Sequence, residues 1–260
     1  MGCIGLVNRL PVWAWNTRVW GFSMTPPTFD RWLYLWMHRL RNMGSREKLF
    51  LEEAVRPGMR VVDVGANIGL YSLLLARLVG EEGRVFSFEP DAIMVAALRR
   101  NVAANHMSHV EVYSCAAGSG SGRGVLRRNV MNSGDNRLGA GITRFHGEQA
   151  SVPVRALQDV LREELVDFIK MDVQGWEAEV LLGAVGLWDA NPFLKVYFEF
   201  WPAGLRAAGS SVLALQDILD SLGLRVCLPE PGKKGMTIGL EAQEQRMKAE
   251  EYTNLLASRE

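Results

Sequence analysis

Val61-Val62-Asp63-Val64-Gly65-Ala66-Asn67-Ile68-Gly69 is the stretch that decides the fold. Its β-branched start reads as a buried strand. A loop bounded by Gly65 and Gly69 follows, and residues 70–79, apolar nearly all round, read as a buried helix. Gly65 can take backbone angles closed to other residues, and its missing side chain lets a ligand approach the main chain. In open α/β sheets the binding crevice lies beyond the carboxyl ends of the strands. Asp63 sits at such an end.

Working outward, the pattern repeats. Residues 84–88 form a second strand that closes on Glu89-Pro90. Asp91 is placed to cap a helix running to residue 105, and residues 110–114 form a third strand. This strand-helix order implies a parallel sheet with right-handed crossovers. Further along, residues 168–172 read as a fourth parallel strand, followed by a helix from Glu177 to Leu182. Residues 194–200 and 224–228 read as strands five and six, with a helix over 213–222 between them. A polar helix around 241–250 leads to a last strand at 252–256. The expected architecture is a doubly wound α/β sheet of seven strands, occupying residues 56–260. A polar insert spans about 118–150, with extended segments around Val125, Phe145 and 151–155. Residues 1–55 read as a Trp-rich helical extension or cap. Trp32, Leu33, Trp36, Met37 and Leu40 fall on one helical stripe there, suited to packing on the main domain, to covering a bulky substrate, or to a homodimer contact.

Bulk properties narrow the field. The 260 residues carry 29 Lys and Arg against 29 Asp and Glu, a net charge of zero. Proteins that hold nucleic acid through phosphates usually carry a basic excess, so no nucleic-acid partner is expected. Cys3, Cys115 and Cys227 are few, odd in number and far apart. That spacing suits neither a zinc site nor a disulfide framework, and it fits a reduced, cytoplasmic protein. Leu6 stands where a myristoylation signal needs Ser or Thr. No cleavable leader and no apolar run of membrane-spanning length is evident.

Glu89 lies twenty positions after Gly69, at the end of the second strand. An acid there accepts hydrogen bonds from ribose hydroxyls. The dinucleotide fingerprint needs a second glycine so that a pyrophosphate can approach, and Asn67 occupies that place. The loop therefore suits a nucleoside cofactor without pyrophosphate, such as S-adenosyl-L-methionine, better than NAD.

Three segments carry a closer likeness. Asp63 to Gly69, Phe88-Glu89-Pro90, and Ile169-Lys170-Met171-Asp172-Val173-Gln174-Gly175-Trp176-Glu177 together resemble the FkbM-type methyltransferases, whose third segment commonly reads I-K-I-D-V-E-G-x-E. The likeness covers roughly residues 61–182 and is weaker around 198–202 and 253–256. It implies a class I methyltransferase (Rossmann-like) fold, S-adenosyl-L-methionine as cofactor, and O-methylation of a hydroxyl on a sugar, glycolipid or polyketide-like natural product. By position, Asp63, Gly65, Ala66, Asn67 and Gly69 would line the methionine side. Glu89, with Pro90 beside it, would hold the ribose, and Cys115-Ala116 would border the adenine. The chain departs from the family at Gln174, where Glu is usual, and at residues 156–159, where T-L-D-D is frequent.

Methyl transfer to a hydroxyl also needs a proton acceptor. Asp172 at the end of strand four is the candidate base, with Glu199 at the end of strand five or Glu177 assisting. The other reading of Asp172 is a ligand for the cofactor's ammonium or a helix cap. Asn132, Ser133, Asp135 and Asn136 form a polar cluster suited to a lid, and His146 is an outlying candidate base. No metal is implied, since no ligand spacing compels one. A base-modifying nucleic-acid enzyme would show an N-P-P-Y-like segment after strand four, and Met171-Asp172-Val173-Gln174 is not that. The remaining alternatives are a non-catalytic cofactor-binding partner subunit and an NAD-dependent dehydrogenase.

Overall fold

A computed structural model describes residues 16–27, 37, 46–129, 132–139 and 148–259. A hairpin of β1 (Thr17–Val19) and β2 (Phe22–Met24) comes first, then α1 (Arg46–Ala54). The expected alternation follows: β3 (Arg60–Val64), α2 (Leu70–Val79), β4 (Arg84–Phe88), α3 (Ala92–Ala104), β5 (Val110–Tyr113). The insert supplies β6 (Ala116–Ala117), β7 (Gly122–Arg127), β8 (Arg137–Leu138) and β9 (Gln149–Arg155). Then come α4 (Leu157–Val160), β10 (Phe168–Met171), α5 (Glu177–Leu182), α6 (Val185–Ala190) and β11 (Lys195–Phe200). The last part holds α7 (Pro202–Ala207), α8 (Val212–Ser221), β12 (Arg225–Glu230), β13 (Lys233–Thr237), α9 (Leu240–Glu244) and β14 (Thr253–Ser258).

The main sheet runs β13-β12-β14-β11-β10-β3-β4-β5. β11, β10, β3, β4 and β5 are parallel, and β14 lies antiparallel between β11 and β12. Seven of these strands match the expected sheet. β13 is an eighth, folded back on β12 through a turn at Gly232, whose φ is +74°. Its Lys-Lys-Gly start lacks the apolar pattern of a strand, a composition common at protected sheet edges. The polar helix expected over 241–250 ends earlier, at Glu244.

Both faces of the parallel strands are covered, which explains their unbroken apolar runs. Val61 and Val85 pack with Leu73 and Leu74 of α2 on one side. Val62, Val64, Phe86 and Phe88 pack with Trp188 and Leu181 on the other. Each such side chain, fully withdrawn from water, stabilises the fold by roughly 1.5–3 kcal/mol. Strand order reverses between β3 and β10, so the crevice opens at their carboxyl ends.

Residues 17–24 form a strand pair where a helical extension was expected. The hairpin is clipped to α3: Asn101 Oδ1 accepts from Thr25 N and Asn105 Oδ1 from Ser23 N, both at 2.9 Å. The tryptophan stripe through Trp32 and Trp36, with Trp13 and Trp15, lies outside the described residues, as do Phe145 and His146. Among the described residues no helix is long and apolar enough to cross a membrane.

The insert forms its own sheet, β6-β9-β7-β8, tied to the main domain by Asp91. This buried carboxylate caps α3 through Ile93 N at 2.9 Å. It also takes a two-pronged salt bridge from Arg128, at 2.9 and 3.0 Å, and a bond from Asn136 Nδ2 at 3.2 Å. Asp91→Ala removes the cap and strands a guanidinium. The expected loss is about 1–3 kcal/mol in urea unfolding, with faster amide hydrogen exchange in β7 and β9 than in β3 and β4.

Candidate active site

The loop after β3 is shaped by close approach. Gly65 has φ +80°, and a Cβ on it would stand 1.9 Å from the Asp172 carbonyl oxygen. Only glycine lets the tails of β3 and β10 meet there. Gly65 N and Ala66 N both donate to Phe88 O at 3.0 Å, which binds the loop to the end of β4. Asn67, itself at φ +50°, then donates its backbone N–H to Glu89 Oε2 at 2.9 Å. Asp91 N donates to Glu89 Oε1 at 2.8 Å. Both oxygens of Glu89 are thereby fixed, and each keeps a lone pair for a further donor. Burial pushes the Glu89 carboxyl up to about 7 against the pull of those two N–H groups.

Two adjoining cavities open over this floor. The smaller is lined by Gly65, Asn67, Phe88, Glu89, Pro90 and Ala116, with Ser133 and Asn136 of the insert across from them. The larger, about 870 Å³, takes in Ala66, Asn132, Asp135, Glu199, Trp201 and Tyr252. Gly65, Asn67, Asp172 and Gln174 border both. The insert residues named from sequence thus meet the strand-end residues across the crevice. Asn67 Nδ2 bonds Ser133 O at 3.2 Å.

Three expected residues stand behind the wall instead of in it. Asp63 is wholly buried, and its Oδ2 accepts from Ser72 Oγ at 2.6 Å. Gly69 packs against Leu98, and Cys115 is buried in the core. Glu177 is also buried; its Oε1 accepts from Val173 N and Gly175 N at 3.4 and 3.3 Å, wrapping the loop after β10. Burial lifts its carboxyl to about 7.

Sequence reasoning passed over Lys170. Its side chain is 2% exposed, with Nζ 3.6 Å from Asp63 Oδ1, 3.9 Å from Asp172 Oδ2, and 4.6 Å from the Tyr71 ring centre. Burial alone lowers a lysine's pKa, but Asp63, Asp172, Glu47 and Glu199 more than offset it and the net shift is upward. Tyr71 in turn donates to Glu47 of α1. A lysine in the middle of an otherwise apolar strand was the available signal. Gln174 was noticed only as a departure. Its Nε2 stands 2.8 Å from Asp172 Oδ1 and 2.9 Å from Glu199 Oε2, bridging the ends of β10 and β11.

The glycine-floored crevice at the switch point, with an acid closing the next strand, is Rossmann-like, and comparison with known proteins makes the class a class I methyltransferase. Residues 63–226 match the family model described as the Methyltransferase FkbM domain, and the chain belongs to that family. It is a methyltransferase enzyme that uses S-adenosyl-L-methionine. Among its relatives is the methyltransferase sdnD of Sordaria araneosa, 29% identical over 56% of this chain and 68% of that protein. Another is the 31-O-demethyl-FK506 methyltransferase FkbM of Streptomyces tacrolimicus, 30% identical over 53% of this chain and 64% of the relative. An rRNA-methylase candidate from Clostridium thermocellum shares the fold, with TM-score 0.50 and 12% identity over 84% of this chain and 97% of that one. The crevice fits the cofactor: Gly65 lines the cavity floor, although its missing side chain makes room for the Asp172 carbonyl and not for a ligand, Glu89 is a buried carboxylate with open lone pairs, and Asn67 stands where a pyrophosphate would need glycine.

Glu199 gives the site a pH signature. Burial, then the charges of Asp172 and Glu177, raise its carboxyl to about 9; an unfolded glutamate titrates near ~4.3. The native state therefore keeps a proton that the unfolded chain releases. Its contribution to stability is complete below ~4.3 and is lost as pH rises toward about 9. Urea melts from pH 5 to 9 should show wild type losing stability relative to Glu199→Gln, by up to ~1.4 kcal/mol per pH unit. Parallel curves would contradict this.

Proposed function

We propose that the chain methylates a hydroxyl oxygen of a small molecule, with Asp172 as the proton acceptor. The observation that carries this reading is the position of Asp172, which borders both the smaller and the larger cavity. In this reading Gly65, Ala66 and Asn67 hold the methionine side of the cofactor. Glu89 and Pro90 hold the ribose, with Ala116 on the adenine side. Bound S-adenosyl-L-methionine supplies an electrophilic methyl on a sulfonium sulfur. The chain's residues then orient an acceptor and receive its proton at Asp172. Positioning of this kind supplies up to ~7–11 kcal/mol for well-aligned groups.

The larger cavity belongs to the acceptor. Asn129, Asn132, Asp135, Glu250 and Asn254 line it beside Trp201 and Tyr252, a wall rich in hydrogen-bond acceptors with aromatic faces. That chemistry suits a hydroxyl-bearing, partly apolar molecule such as a glycosylated or polyketide-like product. The FkbM relative is named as a methyltransferase of 31-O-demethyl-FK506, an O-demethylated compound. Glu47 of α1 reaches the same cavity, so the segment before residue 56 supports the reading of an acceptor-side extension. The insert residues act as a lid, Asn132 and Asp135 over the larger cavity and Ser133 and Asn136 over the smaller.

Two measurements test the assignment. In Glu89→Ala, loss of a charged hydrogen-bond acceptor costs ~1.5–3 kcal/mol, so calorimetry should show S-adenosylhomocysteine binding weakened ten- to a hundredfold. Asp172→Asn should lower turnover by ~10²–10⁴ in a panel of hydroxylated acceptors assayed by S-adenosylhomocysteine release. Unchanged turnover at saturating acceptor would remove the base role.

A further inference from the structure

The loop from Asp172 to Gly175 is built at a conformational cost. Gln174 holds φ +54°, a left-handed conformation uncommon for a residue with a side chain. Gly175 follows at φ +101°, so close to Gly204 that a Cβ would stand 2.3 Å from its carbonyl carbon. Gly175 adopts its angle freely, whereas for Gln174 such a conformation is strained and persists only where surrounding structure enforces it. Glu177 enforces it here by accepting from the N–H groups of Val173 and Gly175. The outcome of this strain is the placement of one side chain. The Gln174 amide is delivered between Asp172 Oδ1 and Glu199 Oε2, at 2.8 and 2.9 Å. The amide nitrogen donates to both neighbours, the Asp172 carboxylate and the Glu199 carboxyl.

We propose that Gln174 is a positioning residue for methyl transfer, clamping Asp172 and Glu199 into one unit in which Asp172 Oδ1 is held by the amide and Oδ2 is left to face the acceptor and Lys170. The proposal rests on the reading of Asp172 as base. In that step the acceptor's O–H bond breaks, its proton passes to Asp172 Oδ2, and the freed oxygen pair forms the new bond to the methyl. The donor's C–S bond breaks with its pair returning to sulfur. The clamp fixes which carboxylate oxygen meets the proton, and it stops the two carboxyl groups from turning toward each other. A glutamate at position 174 would place a third carboxylate within 3 Å of two others, and the cluster would have to take up a proton to persist. The charges that act on Glu199 are those of Asp172 of the loop after β10, Glu177 of α5, Lys170 of β10 and Glu47 of α1. Tyr252, ahead of β14, feels Glu199 in turn.

The test compares the full-length chain with Gln174→Ala and Gln174→Glu. The probes are S-adenosylhomocysteine and sinefungin, an analogue with an amine in place of the donor's methyl. S-adenosylhomocysteine affinity, by calorimetry, should stay within about threefold of wild type and shows that fold and donor site are intact. The Glu199 carboxyl, followed by carbon-13 NMR, should titrate about one pH unit higher in Gln174→Ala, a tenfold change in proton affinity, and higher still in Gln174→Glu. Sinefungin affinity should rise with pH in step with that titration and shift with it in both variants. Identical NMR and sinefungin pH profiles in all three proteins, with S-adenosylhomocysteine still bound, would overturn the clamp alone. Failure of wild type to bind S-adenosylhomocysteine would overturn the donor site and the clamp's role together. Full turnover in Asp172→Asn would overturn the role in methyl transfer while leaving the shared titration standing.

Discussion

The tails of β3 and β10 meet at a single point, where the backbone of Gly65 lies against the carbonyl of Asp172. The rest of the site follows from that contact. It forces the loop after β3 to turn under a left-handed glycine, and the turn delivers the Asn67 N–H to Glu89. It also brings the end of β10 to the crevice floor, where Asp172 and Gln174 border both cavities. A methyl group at Gly65 would separate the two strands at the place where the two cavities join.

Beneath this floor lies a charge arrangement that would be costly in isolation. A buried lysine is expensive unless carboxylates accompany it. Lys170 has Asp63 below it and Asp172 above it, with Glu47 and Glu199 adding to the field. Asp63 is therefore a foundation for the site and does not line it. Ser72 bonds one of its carboxylate oxygens, and the Lys170 ammonium stands 3.6 Å from the other. The residue that reaches the cavity is the lysine it supports.

Much of this was readable from the chain. The two buried faces of the parallel strands write themselves as continuous apolar runs, and the glycines of the first loop and the acid after β4 declare themselves by position. Asp91 was legible as a cap because the side chain acts on its own helix. Its second task, holding Arg128 and Asn136 from the insert, depends on contacts between residues about forty positions apart, which no local pattern encodes. The same holds for Gln174, whose partner Glu199 arrives from the next strand. β13 was missed because a lysine-rich edge strand needs no apolar face, and Asp63 was misplaced because a strand-end acid can turn inward as readily as outward.

Asp91 has a further consequence for how the molecule can move. Its backbone N–H steadies the carboxylate that closes β4, while its side chain grips the insert. The insert and the acid that closes β4 are thus joined by a linkage one residue long. The insert cannot swing outward as a rigid flap unless it first releases the Arg128 salt bridge or drags with it the amide on which Glu89 rests.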